Sequence, residues 1–414
     1  MNNKTKDVLV VGFALFAMFF GAGNLIFPPY LGHAVGDNYL LAILGFVITG
    51  VGLPILAIIV CSKGDGTFET MASRIGTKFS VIFASILFIA IGPMLGIPRT
   101  AATTYEIAIN PMIPSMSPII SMVIYFAINL IFVLKRSTVI DAIGKFLTPV
   151  LITILGIVIV KGIVFPIGEI VNTNSVSVFS TSVIEGYQTM DALAALLFAT
   201  VATNSIKAKG YSNDKVVPMV LKSGILAAIG LAFVYGGLTY LGAQTTTLVD
   251  SSISKTALLL FISEGILGDF GKIIIAIGMS VACLTTSIGL ITAGSSFFEK
   301  VTKGKLSYKF NAIVISLISV VIGAMGVDRI IGISGPILNI LYPVSITLII
   351  TTLLSRYVRN IKAVKLGVYT SLVMGILGEV KIINLTFIPL SSMGFAWVIP
   401  TLLMIGVGYC LFKS

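Results

Sequence analysis

The feature that most constrains this sequence is a series of apolar segments, each close to the length needed to cross a lipid bilayer. A membrane-spanning helix needs about 20 consecutive, mainly apolar residues. Segments of this kind lie at 8–30, 39–61, 79–98, 118–134, 144–164, 183–206, 216–242, 271–298, 309–326, 335–354, 364–380 and 394–412. They predict an all-α integral membrane protein of about twelve transmembrane helices, with residues 1–414 forming a single membrane domain.

Composition excludes the main alternatives to a membrane protein. Only 10% of the residues are charged and 57% are hydrophobic, whereas about a quarter of the residues of a soluble domain are charged. The net charge of +11 is typical of the cytoplasmic loops of a membrane protein. We therefore expect a lipid bilayer as the surroundings, and neither nucleic acid nor an obligate protein partner.

Lysine and arginine predict the orientation, because cytoplasmic loops are enriched in both. If the spans alternate from a cytoplasmic N-terminus, 21 of the 27 basic residues fall on the cytoplasmic side. The six on the outer side are Arg99, Lys161, Lys255, Lys272, Arg329 and Lys381. This bias predicts that both termini are cytoplasmic.

The first apolar segment contains residues that interrupt a helix. Gly21-Ala22-Gly23-Asn24 is followed one turn later by Pro28-Pro29. Unpaired backbone groups are costly in hydrocarbon, so a break is tolerated where it is buried in protein or lines a cavity. The break could form half of a substrate and ion site, or the glycines could only permit close helix packing.

The sixth segment carries a carboxylate among apolar residues. Asp191 follows Met190 and precedes a run of alanine and leucine. A charged side chain at membrane depth is expensive and points to function, such as binding an ammonium group, a cation or a proton. The alternative is a helix cap near the outer interface.

The eighth segment contains the adjacent hydroxyls of Thr285, Thr286 and Ser287. In an apolar helix such hydroxyls often bond to their own backbone carbonyls. Together with the Ala282 carbonyl, the two threonine hydroxyls could also form a compact set of neutral oxygens that suits a small hard cation.

Motifs of common membrane enzymes are absent from the sequence. There is no Walker A, HExxH or GxSxG motif, and the three cysteines show no paired spacing. We therefore expect neither an enzyme nor an organic cofactor.

Two segments resemble a known family. The stretch from Gly12 to Pro29, with its Gly21-Ala22-Gly23-Asn24 core, and the stretch from Thr189 to Leu196 resemble signatures of the bacterial branched-chain amino acid:cation symporter family, the BrnQ-type carriers. Length and span count agree with that family over the whole chain. The resemblance implies import of L-leucine, L-isoleucine and L-valine across a bacterial cytoplasmic membrane.

A more distant resemblance is to sodium-coupled transporters with a five-plus-five inverted repeat, the sodium-coupled leucine transporter-like fold. It rests on Gly21-Ala22-Gly23-Asn24 and on Ala282–Ser287. It implies repeats at 8–164 and 183–354, with two additional helices at 364–412. It also implies a sodium ion held by Phe16, Phe19, Ala282, Thr285 and Thr286.

These observations lead to one functional hypothesis. We expect sodium symport of branched-chain amino acids by alternating access. The residues expected to bind the substrate are Gly21, Ala22, Gly23, Asn24, Tyr187, Thr189 and Asp191. One alternative is symport of the same or other small apolar amino acids with H+ as the coupling ion, through Asp191. Another, from a different class, is an amino acid sensor or channel without uphill transport.

Overall fold

A computed structural model describes residues 3–63, 66–135, 148–380 and 384–412, and in these ranges every regular element is helical. The start of the predicted fifth span, 144–147, lies outside the described residues, as do Arg136, Lys145, Lys381 and Lys413. The helices are α1 Asn3–Phe19, α2 Ala22–Val35, α3 Tyr39–Ser62, α4 Phe68–Ala72, α5 Thr77–Ile109, α6 Pro118–Val133, α7 Thr148–Val164, α8 Val178–Tyr187, α9 Asp191–Ala208, α10 Asn213–Ala243, α11 Lys255–Leu267, α12 Asp269–Val301, α13 Tyr308–Gly323, α14 Val327–Leu353, α15 Ile361–Val380 and α16 Val398–Leu411.

The apolar segments predicted from the sequence correspond to helices of this structure. Seven described segments are long and apolar enough to cross a membrane, and the pair α1–α2 makes an eighth. The four shorter apolar helices α6, α7, α13 and α16 coincide with the fourth, fifth, ninth and twelfth predicted spans. The protein is therefore an all-helical, multi-pass membrane protein.

Two spans are broken near their middle. In the first span, α1 and α2 meet at an angle of 67°, and only Phe20 and Gly21 lie between them. The predicted break extended to Asn24 and was therefore wider, because Ala22, Gly23 and Asn24 all lie inside α2. In the sixth span, α8 and α9 are separated by Gln188-Thr189-Met190, a break that the composition of this segment did not indicate.

The second and seventh spans hold these breaks in place. α10 packs along both α1 and α2, and α3 packs along both α8 and α9. Each broken span is thus supported by the span that follows the other one. The repeats at 8–164 and 183–354 stay a prediction. α15 packs on both α14 and α16, at the edge of the bundle.

The third span is longer than predicted, and this corrects the position of Arg99. The apolar segment ends at residue 98, because a charge and four hydroxyls follow it. The chain nevertheless continues as α5 to Ile109, with a kink at Gly92 before Pro93. Arg99 was expected on the outer side, but it is only 3% exposed and lies inside the bundle.

Close backbone packing between α2 and α10 gives the first prediction. A Cβ atom added at Gly242 would lie 1.9 Å from the Pro29 carbonyl oxygen. Overpacking a core costs about 1–3 kcal/mol and more where backbone must move, so we expect Gly242→Ala to lower the melting temperature of the purified protein by several degrees. Gly236→Ala on the same helix is the control, because its nearest neighbour lies at 3.7 Å. Equal melting temperatures for the two variants would contradict this.

Candidate functional site

Asp191 stands where the two broken spans meet. It is the first residue of α9 and follows Met190, whose backbone is left-handed with φ of 66°. Its side chain is 2% exposed. The Oδ2 atom accepts hydrogen bonds of 2.6 Å from Asn24 Nδ2 and 2.6 Å from the Tyr235 hydroxyl. The carboxylate therefore connects the first, sixth and seventh spans.

Asn24 links the break in the first span to this carboxylate. The Gly21 backbone N–H donates to Asn24 Oδ1 at 3.0 Å, so the side chain caps the start of α2. The amide group of the same side chain contacts both Asp191 and Tyr235. Asn24 therefore both caps α2 and belongs to a polar cluster with Asp191 and Tyr235.

The eighth span brings neutral oxygens to the end of α1. Thr285 Oγ1 lies 3.1 Å from the Ala17 carbonyl oxygen and 2.9 Å from the Ala282 carbonyl oxygen. Thr286 Oγ1 lies 3.3 Å from the Ala17 carbonyl oxygen and 3.2 Å from that of Met18. Thr285 therefore hydrogen-bonds to a carbonyl of its own helix, which is the alternative to an ion site given above. Its hydroxyl also contacts a carbonyl of the first span.

The carbonyls that meet these hydroxyls are one position away from those implied by the resemblance. Phe16 and Phe19 were expected as ligands, whereas the two threonines contact Ala17 and Met18. The Phe16 carbonyl instead accepts a 2.8 Å hydrogen bond from the Phe20 N–H, inside the last turn of the first half-helix. Phe19 lines the cavity beside the break.

Arg99 of α5 approaches the break in the sixth span. Its Nη1 donates to the Gln188 carbonyl at 2.7 Å and its Nη2 to the Thr189 carbonyl at 3.4 Å. The guanidinium carbon lies 5.4 Å from the centre of the Phe27 ring. A Cβ atom at Gly23 would lie only 2.6 Å from Nη2. The glycine therefore allows the guanidinium to lie directly against the first turn of α2.

These groups surround a small cavity of about 20 Å³ between the two breaks. Five of the residues expected to bind substrate line it, and they are Gly21, Ala22, Asn24, Thr189 and Asp191. Thr286 and Arg99 line it as well, with apolar walls from Ile91, Ala194 and Leu290. The cavity has room for about one water molecule, so an amino acid requires the surrounding helices to separate.

Tyr187, an expected substrate ligand, packs against α14 rather than at the small cavity. It ends α8, and its ring stacks on Tyr342 of α14 with centroids 4.0 Å apart. It is not among the residues that line the small cavity. Thr189 does line it, and its hydroxyl donates to the Gly186 carbonyl at 2.9 Å.

A larger cavity of about 410 Å³ adjoins the site and leads towards one face of the protein. Met18 lines both cavities and so marks the boundary between them. The walls come from both broken spans and from the third and eighth spans. Near its end Lys300 pairs with Glu69 at 3.6 Å. This face also carries the start of α1, because Lys209, next to the cavity residue Ala208, pairs with Asp7 at 3.1 Å.

Two polar residues of the site, Tyr235 and Arg99, were not identified as site residues from the sequence. Tyr235 lies in an apolar stretch of α10 with no polar neighbour that marks it. Arg99 did carry a signal, because the residues that follow it, Thr-Ala-Ala-Thr-Thr, can continue a helix. A charged residue in such a context is a candidate for an intramembrane position, but the apolar window ended before it.

Solved transporter structures share this fold at low sequence identity. Mhp1, a nucleobase-cation-symport-1 family transporter in a closed conformation with bromovinylhydantoin bound, aligns with a TM-score of 0.63 and 14% identity, over 98% of this chain and 93% of Mhp1. MhsT in complex with L-phenylalanine aligns with a TM-score of 0.56 and 16% identity, over 97% and 98% of the two chains. These alignments confirm the predicted leucine transporter-like fold.

Relatives of known class match along almost the whole chain. The branched-chain amino acid permease BraB of Bacillus subtilis is 36% identical, over 98% of this chain and 95% of its own length. The permease BrnQ of the same organism is 35% identical, over 98% and 96%. The sequence profile described as "Branched-chain amino acid transport protein" matches residues 4–414. This is a family of amino acid transport proteins rather than enzymes, and the chain belongs to it.

Proposed function

We propose that this protein imports leucine, isoleucine and valine by sodium symport through alternating access. The observation that carries the proposal is the buried Asp191 carboxylate between two broken helices, beside the oxygens of Thr285, Thr286 and Ala17. A fixed negative charge and a set of neutral oxygens within one closed region suit an amino acid and a small cation. The names of the relatives BraB and BrnQ support branched-chain substrates.

The amino acid would use both breaks. Its ammonium group would bind the Asp191 carboxylate, where Asn24 and Tyr235 already hold Oδ2. Its carboxylate would face the first turn of α2, because the N-terminal N–H groups of a helix carry partial positive charge. Of these groups, that of Gly21 already donates to Asn24. The available donors would therefore come from Ala22 onwards.

The branched side chain would lie against the apolar walls of the small cavity. Ile91, Ala194, Leu290 and Met18 line that side. One methylene in such a pocket changes affinity by only ~1–3 kcal/mol. A single apolar pocket should therefore accept all three branched-chain amino acids with modest differences.

Sodium would bind between α1 and α12. Its ligands would be the hydroxyls of Thr285 and Thr286 and the carbonyl oxygens of Ala282 and Ala17, where the sequence resemblance had implied Phe16 and Phe19. Neutral hard oxygens suit a monovalent cation without requiring a carboxylate. H+ remains the alternative coupling ion, and Asp191 is the carboxylate that could carry it.

The energy of one sodium ion is sufficient for import. One charge entering at ~100 mV gains ~2.3 kcal/mol, and a tenfold gradient adds ~1.4 kcal/mol. Together these support accumulation of several hundredfold. The cavity that starts at Met18 would be the route to the cytoplasm, so that Lys300, Asp7 and the N-terminus would lie on the cytoplasmic side of the bacterial plasma membrane. Twelve spans would bring the C-terminus to the same side.

Uptake in proteoliposomes tests this proposal. We expect radiolabelled leucine to accumulate above its external concentration when an inward sodium gradient is imposed at equal pH, with isoleucine and valine competing. Accumulation driven only by a pH gradient would favour H+ as the coupling ion. Equilibration without accumulation under either gradient would indicate a channel. Binding without flux would indicate a sensor.

A further inference from the structure

Arg99 is a buried cation that the proposed binding of the amino acid leaves without a role. It is 3% exposed and lies in the C-terminal third of α5. No ion pair within 4.0 Å joins it to a carboxylate in the part of the chain that the structure describes. Two of its nitrogens donate to carbonyls, but Nε is buried and has no hydrogen-bond partner. A charge in this situation is costly to retain.

Among the described residues no carboxylate lies within 4.0 Å of Arg99, but its surroundings are suited to an anion. The guanidinium lies directly against Gly23, in the first turn of α2, where the helix end is partially positive. Arg99 also lines the small cavity between the breaks, together with Asp191. Positive charge from Arg99 and from α2 and negative charge from Asp191 therefore border one closed space. A molecule that carries both charges complements it.

We propose that Arg99 binds the α-carboxylate of the transported amino acid, while Asp191 binds its α-ammonium group. This inference rests on the proposed function and extends it to the selection of substrates. A guanidinium binds a carboxylate through parallel hydrogen bonds with a fixed geometry. The site therefore requires both charged groups, and it rejects an amino alcohol or an amine with the same branched side chain.

The pair also accounts for the electrical balance of the site. Arg99 and Asp191 together carry no net charge, and neither does a zwitterionic amino acid. When the substrate binds, each of its charged groups meets an opposite charge of the protein. The coupling cation is then the only net charge that the loaded site contains.

The test compares leucine with leucinol, which keeps the ammonium group and the side chain but replaces the carboxylate with a hydroxymethyl group. Each compound competes with radiolabelled leucine for uptake into proteoliposomes. In the unchanged protein we expect leucine to compete about 10²-fold more strongly, because a site built around a charged group rejects analogues that lack it. In Arg99→Gln we expect competition by leucine to weaken about 10²-fold while leucinol changes little.

The matched control is Arg329→Gln, since Arg329 lies exposed near the start of α14. It should leave the ratio of leucine to leucinol unchanged. If Arg99→Gln does not fold, Arg99→Lys decides, because it keeps the charge and loses the paired geometry. We expect Arg99→Lys to weaken competition by leucine about tenfold more than competition by leucinol.

Parallel loss of leucine and leucinol binding in these variants would overturn the inference, because it would mean that Arg99 only holds the carbonyls at the end of α8. If leucine and leucinol competed almost equally in the unchanged protein, the inference would be overturned as well. Failure of the unchanged protein to take up leucine at all would instead refute the proposed function.

Discussion

Replacing Asp191 with asparagine is expected to reduce leucine uptake by about 10²–10³-fold, because truncating one side of a buried charge pair costs about 2–5 kcal/mol. Asparagine has nearly the same size and can still contact Asn24 and Tyr235. The loss should therefore appear in transport rather than in folding. Initial rates of radiolabelled leucine uptake measure the first, and the melting temperature of the purified protein measures the second.

Counterflow, in which external labelled leucine exchanges with internal leucine without an ion gradient, separates the two roles open to Asp191. If the carboxylate binds the ammonium group, exchange is lost in Asp191→Asn together with uptake. If it only carries a coupling proton, exchange survives and the response to a pH gradient disappears. Sodium-driven uptake at the level of the unchanged protein would contradict both roles.

Asp269→Asn is the matched control for this substitution. Asp269 is also the first residue of a helix, α12, but it is exposed. The same change of a carboxylate to an amide should leave uptake and exchange within about twofold, because an exposed charge at a helix start contributes only ~0.3–1 kcal/mol to stability.

The double substitution Thr285→Ala with Thr286→Ala is expected to raise the sodium concentration for half-maximal uptake about 10²-fold. Each hydroxyl faces a carbonyl of the first span and belongs to the proposed ion site. Loss of a polar partner in a buried site costs ~1–2 kcal/mol, and 1.4 kcal/mol corresponds to about tenfold. The measurement is the sodium dependence of leucine uptake at saturating leucine.

Two variants show whether this effect comes from the ion site or from the helix. Thr285→Ser keeps the hydroxyl and should keep the sodium dependence. Ser280→Ala removes a hydroxyl of the same helix whose contact is the Ala276 carbonyl one turn earlier, and it should change nothing. A sodium dependence that stays within twofold in the double variant would show that the threonines serve only as backbone-bonded helix residues.

Much of the fold could be predicted because the bilayer imposes a length and a composition on each span. The segments 39–61 and 364–380 coincide with α3 and α15 to within a few residues. The prediction of span ends from apolar length failed at Arg99, because mean hydropathy does not distinguish a polar residue in a loop from one that faces the interior of a bundle. The length of α5 is decided by its packing against neighbouring helices.

The candidate site could be predicted in part for a similar reason. Gly21 and Asn24 indicated the break in the first span, since they combine poor helix propensity with backbone-capping chemistry. The break before Asp191 contains no glycine or proline and instead uses Met190 with a positive φ, so no local signal announces it. The contact of Thr285 with Ala17 depends on how α1 is rotated about its axis relative to α12. A sequence motif predicts the contacting residue of α1 only to within about one position.

The central claim is that sodium and a branched-chain amino acid bind together at this pair of breaks, and equilibrium binding to the purified protein tests it most directly. The affinity for radiolabelled leucine would be measured with and without saturating sodium, and the affinity for sodium with and without saturating leucine. Linkage requires that sodium raises the affinity for leucine by the same factor by which leucine raises the affinity for sodium. We expect this factor to be about tenfold or more in the unchanged protein. In the Thr285→Ala, Thr286→Ala variant it should fall to about one. Leucine binding that is independent of sodium in the unchanged protein would contradict the claim.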